Sequence, residues 1–214
     1  PTAPAGIATS PMSPANNLSP AVTGTAEAGS TVKVYTNGTC AATEAASGTA
    51  ASFGTPGINV TVPANVVTTL SAKAVDSAGN FSSCSTSITY NHDNTPPSTG
   101  SVNDGVAADI AYQNVTATMN SNWSGFSDSG SGLYGYDYNL SATPSCAGDV
   151  VPITGIGLVT SRNQTALSLL NGTIYYNCVR VVDNANNASS WVASNGVTVD
   201  TTPPIVTVLS TAAN

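Results

Sequence analysis

Ala74-Val75-Asp76-Ser77-Ala78-Gly79-Asn80 runs on to Asp93-Asn94-Thr95-Pro96-Pro97, and Val181-Val182-Asp183-Asn184-Ala185-Asn186-Asn187 runs on to Asp200-Thr201-Thr202-Pro203-Pro204. The second phrase begins 107 residues after the first (181 against 74), and in both the later Asp follows the earlier by 17. An apolar run ending in an Asp/Asn/Gly turn, a further short run, then Asp-x-Thr-Pro-Pro is how one β-domain closes and the next begins. The spacing predicts an all-β chain of two tandem β-sandwiches, residues 1–94 and 95–202, joined by a short Pro-Pro linker. Residues 203–214 read as the first strand of a following module, cut short.

Composition sets the surroundings of such a chain. Only 7% of the 214 residues are charged, against about 25% in average soluble proteins, so Ser, Thr and Asn must supply the polar surface. The hydrophobic fraction of 41% is enough for packed cores. A net charge of −7 with four basic residues argues against nucleic acid and anionic membrane surfaces, which require Lys/Arg clusters. No apolar run approaches a membrane span. The chain opens on Pro1 without a charged-then-apolar leader, so a mature piece or excised segment is expected.

The four cysteines fall two to each proposed domain, Cys40 with Cys84 and Cys146 with Cys178. None has zinc-site spacing. One pair per domain fits disulfides in an oxidising, extracellular compartment, each contributing on the order of 4 kcal/mol on the chain-entropy model. Two pairs of buried free thiols are the alternative.

In the first domain, residues 21–26 and 30–36 alternate with period two across a Glu-Ala-Gly turn, and 58–62, 68–75 and 85–90 supply further strands. Asn37-Gly38 is a type I′ turn pair that sets Cys40 just beyond a strand end. Helix signals are missing; residues 41–51 lack a large hydrophobe to anchor one.

Val22-Thr23-Gly24-Thr25-Ala26-Glu27-Ala28-Gly29-Ser30-Thr31-Val32-Lys33-Val34-Tyr35, with Ala74-Val75-Asp76-Ser77-Ala78-Gly79-Asn80 near the end, resembles the bacterial Ig-like repeats of large surface adhesins. Asn122-Trp123-Ser124-Gly125-Phe126-Ser127-Asp128, Ser131-Gly132-Leu133-Tyr134-Gly135-Tyr136 and Leu169-Leu170-Asn171-Gly172-Thr173-Ile174-Tyr175 make the second domain similar to a fibronectin type III module of bacterial secreted repeat proteins. That resemblance implies a tyrosine corner from Leu169 and Tyr175, with residues 175–183 as strand F. Cys84 lies eight residues after Asp76 and Cys178 five before Asp183, so the modules are cousins, not copies.

Catalysis finds little support. The single histidine, His92, is read as an exposed linker residue, and Glu27 and Glu44 lie in a turn and a loop. Calcium is the metal to weigh, because hard cations take oxygen ligands. Asp76 and Asp183 end strands while Asp93 and Asp200 open linkers, and the family resemblance implies calcium at such junctions. The alternative is that these aspartates are turn formers. Asn103-Asp104-Gly105 and Asp128-Ser129-Gly130 read as plainer turns. Tyr134, Tyr136 and Tyr138 alternate along one strand; Trp123, Tyr136 and Tyr138 are expected in the core, and Trp191 is the candidate exposed ring for a glycan.

The reading is therefore a non-catalytic extracellular tandem of a bacterial surface or secreted protein, serving as a stalk, adhesive or filament-forming segment. Its partners would be neighbouring modules, other filament subunits, or a glycan or cell-surface protein. A binding module, or the accessory region of a secreted hydrolase, is the alternative.

Overall fold

The computed structural model describes residues 1–41 and 43–206. The chain divides into two compact units. The first comprises Pro1–Ser98 with two later segments, Ser127–Tyr134 and Val181–Ser189; the second takes Thr99–Phe126, Gly135–Arg180 and the residues from Ser190 on. The strand expected at 203–214 falls mostly on residues 207–214, outside the described residues.

In the first unit the strands are β1 (Ala5–Ser10), β2 (Ala21–Thr25), β3 (Thr31–Tyr35), β4 (Ala46–Thr49), β5 (Ile58–Asn59), β6 (Val67–Val75) and β7 (Ile88–Asn91). They form two antiparallel sheets, β1-β2-β5 and β4-β3-β6-β7. The alternation Thr-Val-Lys-Val in β3 turns Val32 and Val34 inward and leaves Lys33 at the surface. Leu70, Ala72 and Ala74 do the same from β6, and with Val22, Phe53 and Tyr90 they close a core with no exposed area. Burying one such large aliphatic side chain contributes about 1.5–3 kcal/mol. Gly24 makes this packing possible: a Cβ there would lie 2.6 Å from the Phe53 ring and 2.8 Å from the Ala5 carbonyl oxygen.

Two elements differ from what the sequence leads one to expect. β1 precedes the first strand the periodicity indicates, and a one-turn helix, α1 (Ala50–Gly54), replaces the expected loop. Thr49 caps α1, its hydroxyl accepting the Ser52 amide at 3.0 Å. Phe53, just past the anchorless stretch, is the side chain that holds it to the core.

β6 closes against a segment that is not a regular strand. The Ser82 hydroxyl accepts the Ala74 amide and the Ser85 hydroxyl accepts the Ala72 amide, at 2.9 and 3.0 Å. The Ser82 and Ser85 amides return bonds to the Ala74 and Ala72 carbonyls. The Cys40–Cys84 disulfide ties this segment to the loop after β3.

The second unit contains β8 (Ser101–Asp104), β9 (Tyr112–Gln113), β10 (Met119–Ser124), β11 (Leu133–Ser141), β12 (Val151–Gly157), β13 (Ser161–Gln164), β14 (Ile174–Asp183), β15 (Val192–Ala193) and β16 (Val197–Val199), with β11 beginning and β14 ending in the first unit's segments. The sheets are β13-β10-β8 and β12-β11-β14-β16-β9, with β15 paired to β14. Trp123 packs edge-on to Tyr136 at 5.7 Å and stacks on Tyr138 at 6.5 Å; Phe126 meets Tyr136 edge-on at 5.5 Å. All four rings are buried. The Tyr175 hydroxyl accepts the Leu170 amide at 2.9 Å beside buried Leu169, which is the tyrosine corner of such sandwiches. Cys146–Cys178 forms the second disulfide.

Asp104 differs from the surface turn expected of it. It ends β8 fully buried, where its carboxylate accepts Asn177 Nδ2 at 2.7 Å and the Gly196 amide at 3.1 Å. Asn177 Oδ1 in turn accepts the Tyr138 hydroxyl at 2.6 Å. Burial pushes the Asp104 carboxyl above its ordinary value and the nearby Asp109 charge adds to this, against the opposing bonds from Asn177, Ser194 and Gly196.

Candidate functional site

The repeated phrase builds one turn twice. The Asp76 carboxylate accepts the Ala78 and Asn80 amides and Asn80 Nδ2, each at 2.9 Å. The Asp183 carboxylate accepts the Ala185 and Asn187 amides and Asn187 Nδ2, at 2.9, 2.8 and 2.8 Å. Asp followed by Asn four residues on is the requirement, because the amide side chain closes the loop the backbone leaves open. These bonds, chiefly from the Asn80 side chain, hold the Asp76 carboxyl below its ordinary range.

The linker phrase also repeats. Asp93 Oδ1 accepts the Thr95 amide at 3.0 Å, and Asp200 Oδ1 accepts the Thr202 amide at 2.9 Å. Asp93, however, is 1% exposed and more heavily bonded. Its amide donates to the Ala15 carbonyl at 3.0 Å and its carbonyl accepts Asn187 Nδ2 at 3.0 Å. Its Oδ2 accepts the Ser131 amide at 2.7 Å. Gly130 leaves the room for this approach, since a Cβ there would overlap the Asp93 carboxylate. Burial pushes the Asp93 carboxyl up, but the bonds from Ser131 and Thr95 outweigh it and hold it below its ordinary range.

Within the first unit, one carboxylate oxygen each from Asp93, Asp128 and Asp183 lie within 4.8 Å of one another. Of the four aspartates weighed for calcium, the structure thus brings together Asp93 and Asp183; Asp76 and exposed Asp200 are not in the cluster. The third member, Asp128, looks in the sequence like a plain turn residue. It does make that turn, its Oδ2 accepting the Gly130 and Gly132 amides at 3.1 and 2.7 Å. Its nearness to Asp93 is a long-range contact that no local pattern announces. The all-oxygen donor set suits a hard cation, and every member already accepts amide bonds that would orient it.

His92 is a correction. It is 1% exposed, and its Nδ1 accepts the Asn65 amide at 2.9 Å, so it is a packed structural residue and not an exposed linker residue. Tyr134 is 70% exposed, unlike Tyr136 and Tyr138 along the same strand, which are buried as expected. Trp191 is half-buried, with the Arg180 guanidinium 4.9 Å from its ring centre, and Arg180 pairs with Asp137 at 2.9 Å.

Residues 3–92 match the family model of the bacterial Ig domain. A search of curated proteins returns no sequence match. Among solved structures the chain is similar to the FN1–FN3 domains of chicken CNTN1, at 14% identity and a TM-score of 0.49, covering 93% of this chain and 67% of that one. The first of the two all-β units is thus similar to a bacterial Ig domain. No helix among the described residues is long and apolar enough to cross a membrane.

Proposed function

We propose that this tandem is a stalk or adhesive segment of a bacterial surface or secreted protein, bearing load and spacing rather than catalysing. The observation that supports it most is the bonding of Asp93, where amide, carbonyl and both carboxylate oxygens are all engaged at the residue that opens the Pro-Pro linker. A linker that must transmit force gains from such anchoring, and Pro restricts both its own φ and the residue before it. In single-molecule pulling, the oxidised chain should unfold in steps shortened by its disulfide loops. Reducing Cys40–Cys84, 44 residues apart, should lengthen the first unit's step by about 150 Å of extended chain. Asp93→Ala should lower the force at which that unit yields. Equal forces for wild type and variant would count against a load-bearing role.

A second reading rests on the Asp93, Asp128 and Asp183 cluster: calcium held there would stiffen the first unit. A site that binds only the native state raises the unfolding midpoint by mass action. The midpoint should rise with calcium, fall back with chelator, and lose this response in Asp128→Asn. An unchanged midpoint in both conditions would remove calcium from the account. The Arg180 guanidinium lies against one face of the Trp191 ring, which leaves a glycan the opposite face.

A further inference from the structure

β3 and β6 separate before β6 ends. Their ladder stops at Tyr35 opposite Ser71, yet β6 extends back to Val67, and there it pairs only with β7. The chain after Tyr35 turns away, and the Asn37 carbonyl accepts the Ser71 hydroxyl at 2.5 Å in place of a strand partner. In an antiparallel sheet alternate residues address opposite neighbours. Ala72 and Ala74 bond to the Ser85 and Ser82 side, so Ser71, Thr69 and Val67 address the β3 side. Beyond Ser71 no strand runs there among the described residues.

The gap is a cleft of about 590 Å³, bounded by residues 36–38, by Thr61 and Pro63, and by residues 66–69. No charged side chain lines it. Thr68, which does, is 6% exposed and its hydroxyl has no hydrogen-bond partner among the described residues. Val66 and Val67 stand 46% and 58% exposed at its rim. An open strand edge at Val67 and Thr69, walled by uncharged Thr, Asn, Pro and Val side chains, takes an extended, uncharged peptide by strand addition.

The chain itself carries such a peptide. Ile205 and Val206 follow Pro203-Pro204 in no strand, 93% and 81% exposed, and the sequence continues Thr207-Val208-Leu209 without a charge. We propose that the run beginning at Ile205 of one copy enters the cleft beside residues 67–69 of β6 in a second copy, extending the line of β3. This goes beyond the load-bearing reading and does not depend on it. A contact between unlike surfaces of identical chains does not close on itself by necessity, so it propagates head to tail.

Sedimentation velocity of the chain across a hundredfold range of concentration tests this. Its mean mass should rise with concentration, and a synthetic peptide of residues 203–210 should suppress the rise. Ile205→Lys with Val206→Lys should abolish it; those two residues make no ladder, so the fold is unaffected. Val67→Pro should abolish it too, removing an N–H that addresses only the gap, with the thermal midpoint as the check on folding. A constant mass, or a rise that persists in the double lysine variant, overturns the proposal. Pulling experiments on single chains are blind to this association, so the two readings fail separately.

Discussion

Asp76 and Asp183 each accept the same three bonds, from the amides two and four residues on and from the Asn side chain at the fourth. The repeated phrase is therefore repeated geometry. Both copies hold the residue before that Asn in the left-handed region, but different residues meet the demand. Gly79 holds φ +86°, whereas Asn186 holds φ +68° with a Cβ in place.

Relieving that position should stabilise the turn. Asn186→Gly should raise unfolding free energy by about 0.5 kcal/mol, since only Gly adopts the left-handed region without steric cost. Asp183→Ala should lower it by about 1–3 kcal/mol, because buried amides lose their acceptor. Urea titration of both variants reads the two signs.

Gly24 predicts a coupled pair. Gly24→Ala forces a methyl to within 2.6 Å of the Phe53 ring and should cost about 1–3 kcal/mol as overpacking. Combined with Phe53→Leu, the loss should be smaller than the sum of the two single losses, which a double-mutant cycle in urea measures.

Asp104 and Asp93 should give opposite pH dependence. Asp104 has its folded value raised, so the native state holds the proton more tightly, and its stabilising contribution is present below the unfolded value of about 3.9 and lost as pH rises through the folded one. Asp93 has its folded value lowered, so its contribution is present above the unfolded value and lost as pH falls through the folded one. Trp123 and Trp191 both lie in the second unit and report it selectively. In their fluorescence, Asp104→Asn should remove a loss of stability on going from pH 4 upward. Asp93→Asn should remove a gain seen in the first unit by hydrogen exchange.

Each disulfide should matter on its own. Replacing Cys40 and Cys84 by Ala should lower the first unit's stability by about 4 kcal/mol and leave the tryptophan transition unchanged; the Cys146 and Cys178 pair should do the reverse. Calorimetry with and without the fluorescence signal separates them.

Much of this architecture is legible in the sequence because strands and turns are local. The inward turn of Val32 and Val34 follows from alternation, and the core placement of Trp123 and Tyr138 from the resemblance of their segments to a fibronectin type III module. What stays hidden is non-local. His92 looks like linker because Asp93-Asn94-Thr95-Pro96-Pro97 follows it, yet it is buried and its Nδ1 accepts the amide of Asn65, 27 residues earlier. α1 depends on Phe53 finding room above Gly24. Asp128 meets Asp93 only once distant segments are brought together, and its own neighbours signal nothing but a turn.

The serine hydroxyls that bond β6 have a bearing on solubility. Flat, regular strand edges invite other chains, and proteins commonly guard them with lysine. A chain with four basic residues in 214 lacks that means. By docking the Ser82 and Ser85 segment through side chains, it offers an irregular outline where a continuous strand would have been a template for aggregation.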